Sequence, residues 1–497
     1  MKGVESFGWV VLGVSLVVVA AVLSNRISDR IRIPAPALFL VGAAIASDLF
    51  PTLASMRVQT VQNVVTVALI MILFDGGMGI GWRHLRPNAG AVLWVGVAGT
   101  AVTAAGIAAF AHLILGFGWQ VALLLGTALS PTDPAVVFSV LGRREIVGRS
   151  GVLLEGEAGA NDPVGIALMA VLIGAAGLTG GHAVGHGLIE FLRQMAIGGV
   201  AGVAGGWLLL RLMRRIPLPS EALYPIRTLA FAAAVYGLAT ICGGSGFLAV
   251  FIAGIFVGDA NAPYKREIER FHSAVASLAE VVAFVVLGLT VSLRDLPKVD
   301  ALWPGLIIAV VLTLLVRPLL VGLISLPVKL RTGERIFVLW AGLKGAVPIL
   351  LGTFAFTAGI PDAQRIYEIV FIVVTFSVVV QGGLAPTVAK WAKVPMRSTE
   401  LEPWALGMRF REEPTGLHHY RVGTGSTADG TTIADLPVGE NLWISMINRD
   451  GRLVQVAHNT VLQAGDEILA LIDTDTDTDT DTDGNDPGKI FTAASDR

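Results

Sequence analysis

Along about the first 390 positions, apolar residues run in long blocks separated by short polar connections. Thirteen blocks approach the roughly 20 mostly apolar residues that a membrane-spanning helix needs. They cover about 7–24, 34–51, 61–81, 89–115, 119–141, 150–176, 187–211, 224–242, 244–259, 274–293, 301–326, 334–359 and 366–390. After about residue 397 the pattern changes. Trp443-Ile444-Ser445-Met446-Ile447, Leu453-Val454-Gln455-Val456 and Glu467-Ile468-Leu469-Ala470-Leu471-Ile472 are short alternating runs. Asp429-Gly430, Asp450-Gly451 and Ala464-Gly465-Asp466 punctuate them. This predicts a small β-rich soluble domain over 408–473. Asp and Thr then alternate from Asp473 to Asp483 with no apolar face to bury, so 474–497 is expected to be a disordered acidic tail.

Composition sharpens this picture. Hydrophobic residues make up 54% of the 497 and charged residues 15%, against about 25% charged in soluble domains. Too few charges remain to cover a water-facing surface, so residues 1–397 are expected to face lipid. Seven of the aspartates sit in the tail and account for the net charge of −2; without them the remainder carries about +5. The first block lacks a basic leader and is followed by the basic cluster Arg26, Arg30 and Arg32, which favours a retained span over a cleaved signal. With the N-terminus outside, about twenty Lys and Arg fall in inner connections and four (Arg57, Arg294, Lys298, Arg365) in outer ones. Basic residues gather on the cytoplasmic side, so this bias predicts an odd number of spans and a cytoplasmic C-terminal domain. The single cysteine, Cys242, excludes an intramolecular disulfide and a thiolate metal cage.

Ionisable residues inside spans are costly and mark function or pairing. The acids are Asp75, Asp133, Glu155, Glu157, Asp162 and Glu280; the bases are Arg317 and Lys344. Glu157 and Arg317 divide between a structural pair and a functional role. Asp162, between Asn161 and Pro163 in mid-helix, points to transport. Glu155 and Glu280 are placed nearer the cytoplasmic ends, where side chains reach water. Pro131 and Pro134 flank Thr132-Asp133 and break the fifth span; Gly342, Gly345 and Pro348 interrupt the twelfth. Charged breaks in corresponding spans point to inverted repeats around a midplane site, with plain packing kinks as the alternative. Half-helix ends carry about half a unit of charge, which Asp133 and Lys344 could neutralise.

Taken together, these stretches resemble the monovalent cation:proton antiporters of the NhaP-like branch. The matching residues are Phe74-Asp75-Gly76-Gly77, Ser130-Pro131-Thr132-Asp133-Pro134, Glu157 through Pro163, Gly244 through Ala249, Phe284 through Leu289, Arg317-Pro318, Gly342 through Pro348 and Gln381-Gly382. They recur in family order. The resemblance implies an all-α polytopic fold of about 13 helices with inverted repeats and two broken crossing helices. It implies that Asp162 binds cation and proton alternately, that neutral Asn161 marks electroneutral exchange, and that Glu157 pairs with Arg317. Thr132 and Asp133 then belong to the crossing, with Thr132 offering oxygen to the ion, and Asp75 lies near the cation. Ala158 stands where relatives often carry Ser, and Lys344 where Arg is more usual. The C-terminal stretch resembles a TrkA-C module through Thr432 to Leu436, Ile447 to Gly451 and Val461 to Asp466. No G-x-G-x-x-G precedes it, so NAD-type nucleotide binding is not implied.

The expected function is therefore exchange of potassium or sodium for a proton across the cell membrane, without an enzymatic step or bound cofactor. The expected partners are membrane lipid, a second copy of the chain, and a small-molecule regulator of the C-terminal module; a nucleic-acid polymer is not expected. The alternatives are a regulated potassium channel, for which no carbonyl-lined filter motif is found, and a membrane-bound sensor. The C-terminal module is open to two roles, regulation or stabilisation of a dimer.

Overall fold

A computed structural model describes residues 8, 19, 34–50, 53, 56–141, 144–146, 149–174, 181–260, 262–294, 296, 300–398, 417–437, 442–450, 452–472 and 488–491. It divides into two compact units, Met1–Glu400 and Leu401–Arg497.

The first unit is helical. Helices α1 (Ala35–Leu49), α2 (Val58–Leu85), α3 (Ala89–Leu93) and α4 (Gly99–Leu113) open it, with a π-helical stretch at Trp94–Ala98. Next come α5 (Trp119–Ala128), α6 (Ala135–Leu141), α7 (Arg149–Gly174), α8 (Gly181–Arg215), α9 (Leu223–Ile241), α10 (Gly246–Gly258) and α11 (Lys265–Leu289). The unit continues with α12 (Leu302–Val311), a π-helical stretch at Leu312–Val321 and α13 (Gly322–Ile324). It ends with α14 (Thr332–Trp340), α15 (Ala346–Thr357), α16 (Ala363–Phe376), a π-helical stretch at Ser377–Gly382 and α17 (Gly383–Trp391). Strand β1 (Arg144–Ile146) pairs antiparallel with β2 (Met396–Ser398), tying the end of this unit back to the α6–α7 connection.

Among the described residues, six helical stretches are long and apolar enough to cross a membrane, and one of them, Val58–Leu113, contains two of the predicted blocks. Four shorter apolar helices add to these, among them α5 and α15, each of which flanks a break. The chain is thus a multi-pass membrane protein. The predicted block 7–24 lies outside the described residues, apart from Gly8 and Val19. One boundary moves: the tenth block was expected to start near 274, but α11 begins at Lys265. Its first turns carry Lys265, Arg266, Glu267, Glu269 and Arg270, which a hydropathy pattern passes over although they are helical. Glu280 therefore lies in the second half of the helix rather than near its start.

The helices sort into two bundles. In one, α10 packs against α2, α8 and α9, and α11 packs against α1 and α2. In the other, α4 lies against α5 and the π-helical part of the α12 span, while α16 lies against α12 and α15. Backbone-to-backbone approach builds the first bundle: a Cβ at Gly77 would stand 2.4 Å from the Phe251 carbonyl oxygen. The bundles meet through α7 on α2 and α10, and through α15 on α2 and α11. Polar links join them. Gln62 Nε2 donates to Thr353 Oγ1 at 3.0 Å, and the Tyr367 hydroxyl donates to the Leu287 carbonyl at 3.2 Å.

In the second unit, β3 (Leu417–Arg421), β4 (Leu442–Arg449), β5 (Arg452–Val454) and β6 (Glu467–Ile472) form an antiparallel sheet of order β3-β6-β4-β5. Its buried core comprises Val422, Ala428, Leu436, Ile444, Ile447, Leu462, Ile468, Ala470 and Phe491. Phe491 comes from one helical turn, α18 (Gly488–Phe491), inside the stretch expected to be disordered. Its ring stacks on Tyr420 at 4.8 Å, and the Gly423 and Ala428 amides donate to the Phe491 and Ile490 carbonyls. The expectation of disorder therefore does not hold for 488–491; the Asp-Thr repeat itself lies outside the described residues. At the end of β4, Arg449 clasps Asp466 through two hydrogen bonds of 2.7 Å. Burial alone would raise the Asp466 carboxyl, but the Arg449 guanidinium and the Gln463 amide outweigh it and hold it below its usual value.

Candidate ion-exchange site

The site forms where two helices stop short. Pro131 and Pro134 bring no N–H and disfavour helix for the residues before them, so the backbone leaves α5 after Ala128 and resumes helix at Ala135. The second break, between Trp340 and Ala346, has no proline within it. There Gly345, the residue before α15, takes φ −102° and ψ −146°. The two unwound segments touch: the Asp133 amide donates to the Leu343 carbonyl at 2.8 Å.

Charge is placed on each break by the other. Lys344, 1% exposed, donates from Nζ to the carbonyls of Ser130 (3.2 Å) and Pro131 (2.9 Å). These carbonyls follow the C-terminal end of α5, where a helix presents partial negative charge. The Asp133 carboxylate lies against Gly345 at the N-terminal end of α15; a Cβ there would fall 1.9 Å from Oδ2. That is the partial positive end of a helix, and only glycine admits the carboxylate so closely.

Helix α7 brings the remaining groups to this crossing. Asp162 is 9% exposed, and its charged neighbours are Asp133, which repels its charge, and Lys344, which attracts it. Pro163 follows and removes the N–H that would pair with the Gly159 carbonyl. Asn161 Nδ2 donates to Thr132 Oγ1 at 2.6 Å, fixing the amide to the first break. Among the described residues Asn161 Oδ1 is buried without a hydrogen-bond partner. One turn earlier, Glu157 Oε1 accepts from Arg317 Nη2 at 2.8 Å, both side chains being buried. Arg317 also donates from Nε to the Leu339 carbonyl at 2.9 Å and from Nη2 to that of Val338 at 3.4 Å, serving the C-terminal end of α14. A Cβ at Gly342 would stand 1.9 Å from its Cζ.

Thr132, Asp133, Asn161, Asp162 and Lys344 thus come together, with the Glu157–Arg317 pair beside them. Asp75, on α2, has a different charged neighbour, Glu269 of α11. Ala158 is buried on α7 and supplies no hydroxyl. Glu280 is more enclosed than its expected position implied. Its Oε1 is buried without a hydrogen-bond partner among the described residues, and Asp133 is its charged neighbour. Ser377 and Gln381 received no role from the sequence although both are buried beside the second break. A polar pair four residues apart inside an apolar span was the available signal.

An enclosed carboxylate, flanking oxygen donors and neutralised half-helix ends suit a small dehydrated cation or a proton. Comparison with known proteins places this arrangement in a class. Residues 14–391 match the sodium/hydrogen exchanger transmembrane family, and residues 417–476 match the TrkA-C domain. The chain belongs to the sodium/hydrogen exchanger family. It is 33% identical over 473 residues to the K(+)/H(+) antiporter NhaP of Alkalimonas amylolytica, covering 94% of this chain and 82% of that one. It is 32% identical over 461 residues to the K(+)/H(+) antiporter NhaP2 of Shewanella sp. (strain MR-4), covering 92% and 80%. The fold is similar to that of the sodium proton antiporter MjNhaP1 from Methanocaldococcus jannaschii, with a TM-score of 0.63 and 24% identity, covering 77% of this chain and all of that one.

Proposed function

We propose that this protein exchanges a monovalent cation for a proton by competition at Asp162, with potassium as the principal cation. The general activity follows from its family. The single observation that carries the mechanism is a buried carboxylate at the contact of two broken helices whose exposed ends are already neutralised by Asp133 and Lys344. A carboxylate in such a place is neutralised by a proton or by a cation. Thr132, the amide oxygen of Asn161 and water complete an oxygen ligand set of the kind hard cations take. The bundle holding α4–α7 and α12–α16 moves against the other, opening the site to each side in turn.

Potassium is favoured because the relatives matched over nine-tenths of this chain are named as K(+)/H(+) antiporters. One proton per cation follows from Asn161, which adds no second titrating carboxylate beside Asp162. The loop charges support an N-terminus outside and a TrkA-C domain in the cytoplasm. There a second copy of the chain pairs with it, and a small ligand bound to the TrkA-C domain biases transport through unequal affinity for its states.

Purified protein in liposomes tests this. Asp162→Asn abolishes exchange without loss of folding, and an imposed membrane potential leaves the cation/proton equilibrium of the parent unmoved. Substantial residual exchange in Asp162→Asn would sink the one-carboxylate mechanism. A voltage-dependent equilibrium would sink the stoichiometry.

A further inference from the structure

In an unbroken α-helix each N–H bonds the carbonyl four residues earlier, so the Lys344 amide would pair with the Trp340 carbonyl. In this protein that bond is open, and both of its ends are held by the neighbouring span. Lys344 N–H donates to Ser377 Oγ at 3.0 Å. The Ser377 hydroxyl donates to Gln381 Oε1 at 2.9 Å, and Gln381 Nε2 donates to the Trp340 carbonyl. Three hydrogen bonds through two side chains stand in place of one backbone bond. Ser377 and Gln381 bracket the π-helical stretch Ser377–Gly382. The Gln381 main-chain carbonyl accepts from Trp340 Nε1 at 3.0 Å, so the same residue grips the end of α14 twice. Both Ser377 and Gln381 are buried, where an unmade hydrogen bond is expensive.

We propose that Ser377 and Gln381 are positioning residues that splint the second broken helix open and thereby hold Lys344 against the Ser130 and Pro131 carbonyls. The proposal rests on the exchange reading and extends it to a span with no charged residue at the crossing. Without the splint, the amide of Lys344 and the carbonyl of Trp340 regain each other as partners. The segment 341–345 then winds toward helix and withdraws the ammonium from the first break. Thr132, next in sequence to Pro131, loses the position in which it accepts from Asn161, the neighbour of Asp162. Cation binding weakens more than turnover does. Because cation and proton compete at Asp162, weaker cation binding also moves the activity profile toward alkaline pH.

The experiment measures cation-dependent proton exchange in liposomes across pH for Ser377→Ala, Ser377→Thr and Gln381→Leu, beside the parent and Asp162→Asn. Ser377→Ala and Gln381→Leu are expected to raise the apparent KM for the cation about ten-fold, the equivalent of one hydrogen bond of upper-range net strength. Maximal rate stays within about two-fold, and the pH profile shifts to the alkaline side. Ser377→Thr keeps the hydroxyl and restores parental KM and pH profile. If Gln381→Leu does not fold, the Ser377 pair decides alone. Ser377→Ala with parental KM and pH profile overturns the proposal, whether or not its melting temperature falls. Exchange lacking in the parent, or retained in Asp162→Asn, would instead overturn the reading on which it rests.

Discussion

The break between α5 and α6 and the break between α14 and α15 lie in contact, yet their backbone groups are satisfied by different means. The first is made by Pro131 and Pro134, which carry no N–H. It leaves carbonyls, and one cation, Lys344, receives those of Ser130 and Pro131. The second has no proline within it and leaves both donors and acceptors. Arg317 takes the Val338 and Leu339 carbonyls, while Ser377 and Gln381, each both donor and acceptor, take the Lys344 amide and the Trp340 carbonyl. The residue that breaks a helix therefore sets the chemistry of its support. Proline asks for a cation; a break without proline also asks for neutral groups that can give and accept.

The strongest challenge to this contrast is Arg317→Ala. It strands Glu157 in a buried position and deprives two carbonyls of their donor, so a stability loss of about 3–5 kcal/mol is expected. Thermal melting in detergent checks it, and Glu157→Gln in the same chain recovers part of the loss. An unchanged melting temperature would mean that the second break needs no buried cation. Lys344→Met tests the first break. Leaving its carbonyls without a partner costs about 1–3 kcal/mol for each group left bare, and exchange is lost; Lys344→Arg, which keeps the charge, retains exchange. A wild-type melt for Lys344→Met would show that the proline break holds itself.

Gly345→Ala is expected to be milder for stability, about 1–3 kcal/mol by overpacking, but to displace Asp133 and raise the cation KM. Parental kinetics in a folded Gly345→Ala would place the Asp133 carboxylate elsewhere. The smallest effect lies outside both breaks, where a charge pair stands without any half-helix end. The Asp466 carboxyl is held below its usual value in the folded domain, so the folded state binds its proton less readily than the unfolded one. Its contribution is complete above about pH 4, the unfolded carboxyl value. It fades as pH falls through the lower folded value. Hydrogen exchange of the β4 and β6 amides in the full chain should show protection declining over that acidic window, with Asp466→Asn flattening the decline.

The apolar blocks within the described residues and the two charged breaks were legible because each rests on composition within one segment. The Glu157–Arg317 pair was legible only through resemblance, since 160 positions separate its members. The start of α11 was missed because hydropathy records solubility, whereas Lys265 to Arg270 are helical through propensity and position. Ser377 escaped because a serine in an apolar span gains meaning only from the amide it faces, in the unwound segment 33 positions away. The environment of Glu280 was hidden for the same reason: its neighbour Asp133 comes from another bundle.

The docked turn α18 changes the topology of the acidic segment. Seven aspartates lie among the fifteen residues between Ile472 and Gly488, and Phe491 beyond them is fully buried in the core of the second unit. Closing a loop of that length costs about 2 kcal/mol in its length-dependent part at 25 °C, and mutual repulsion of the carboxylates adds to it. Burial of one phenylalanine returns about 1.5–3 kcal/mol. Terms so nearly matched are tipped by screening, which weakens repulsion between exposed charges as ionic strength rises. The docking of Phe491 on this core is thus expected to tighten as ionic strength rises.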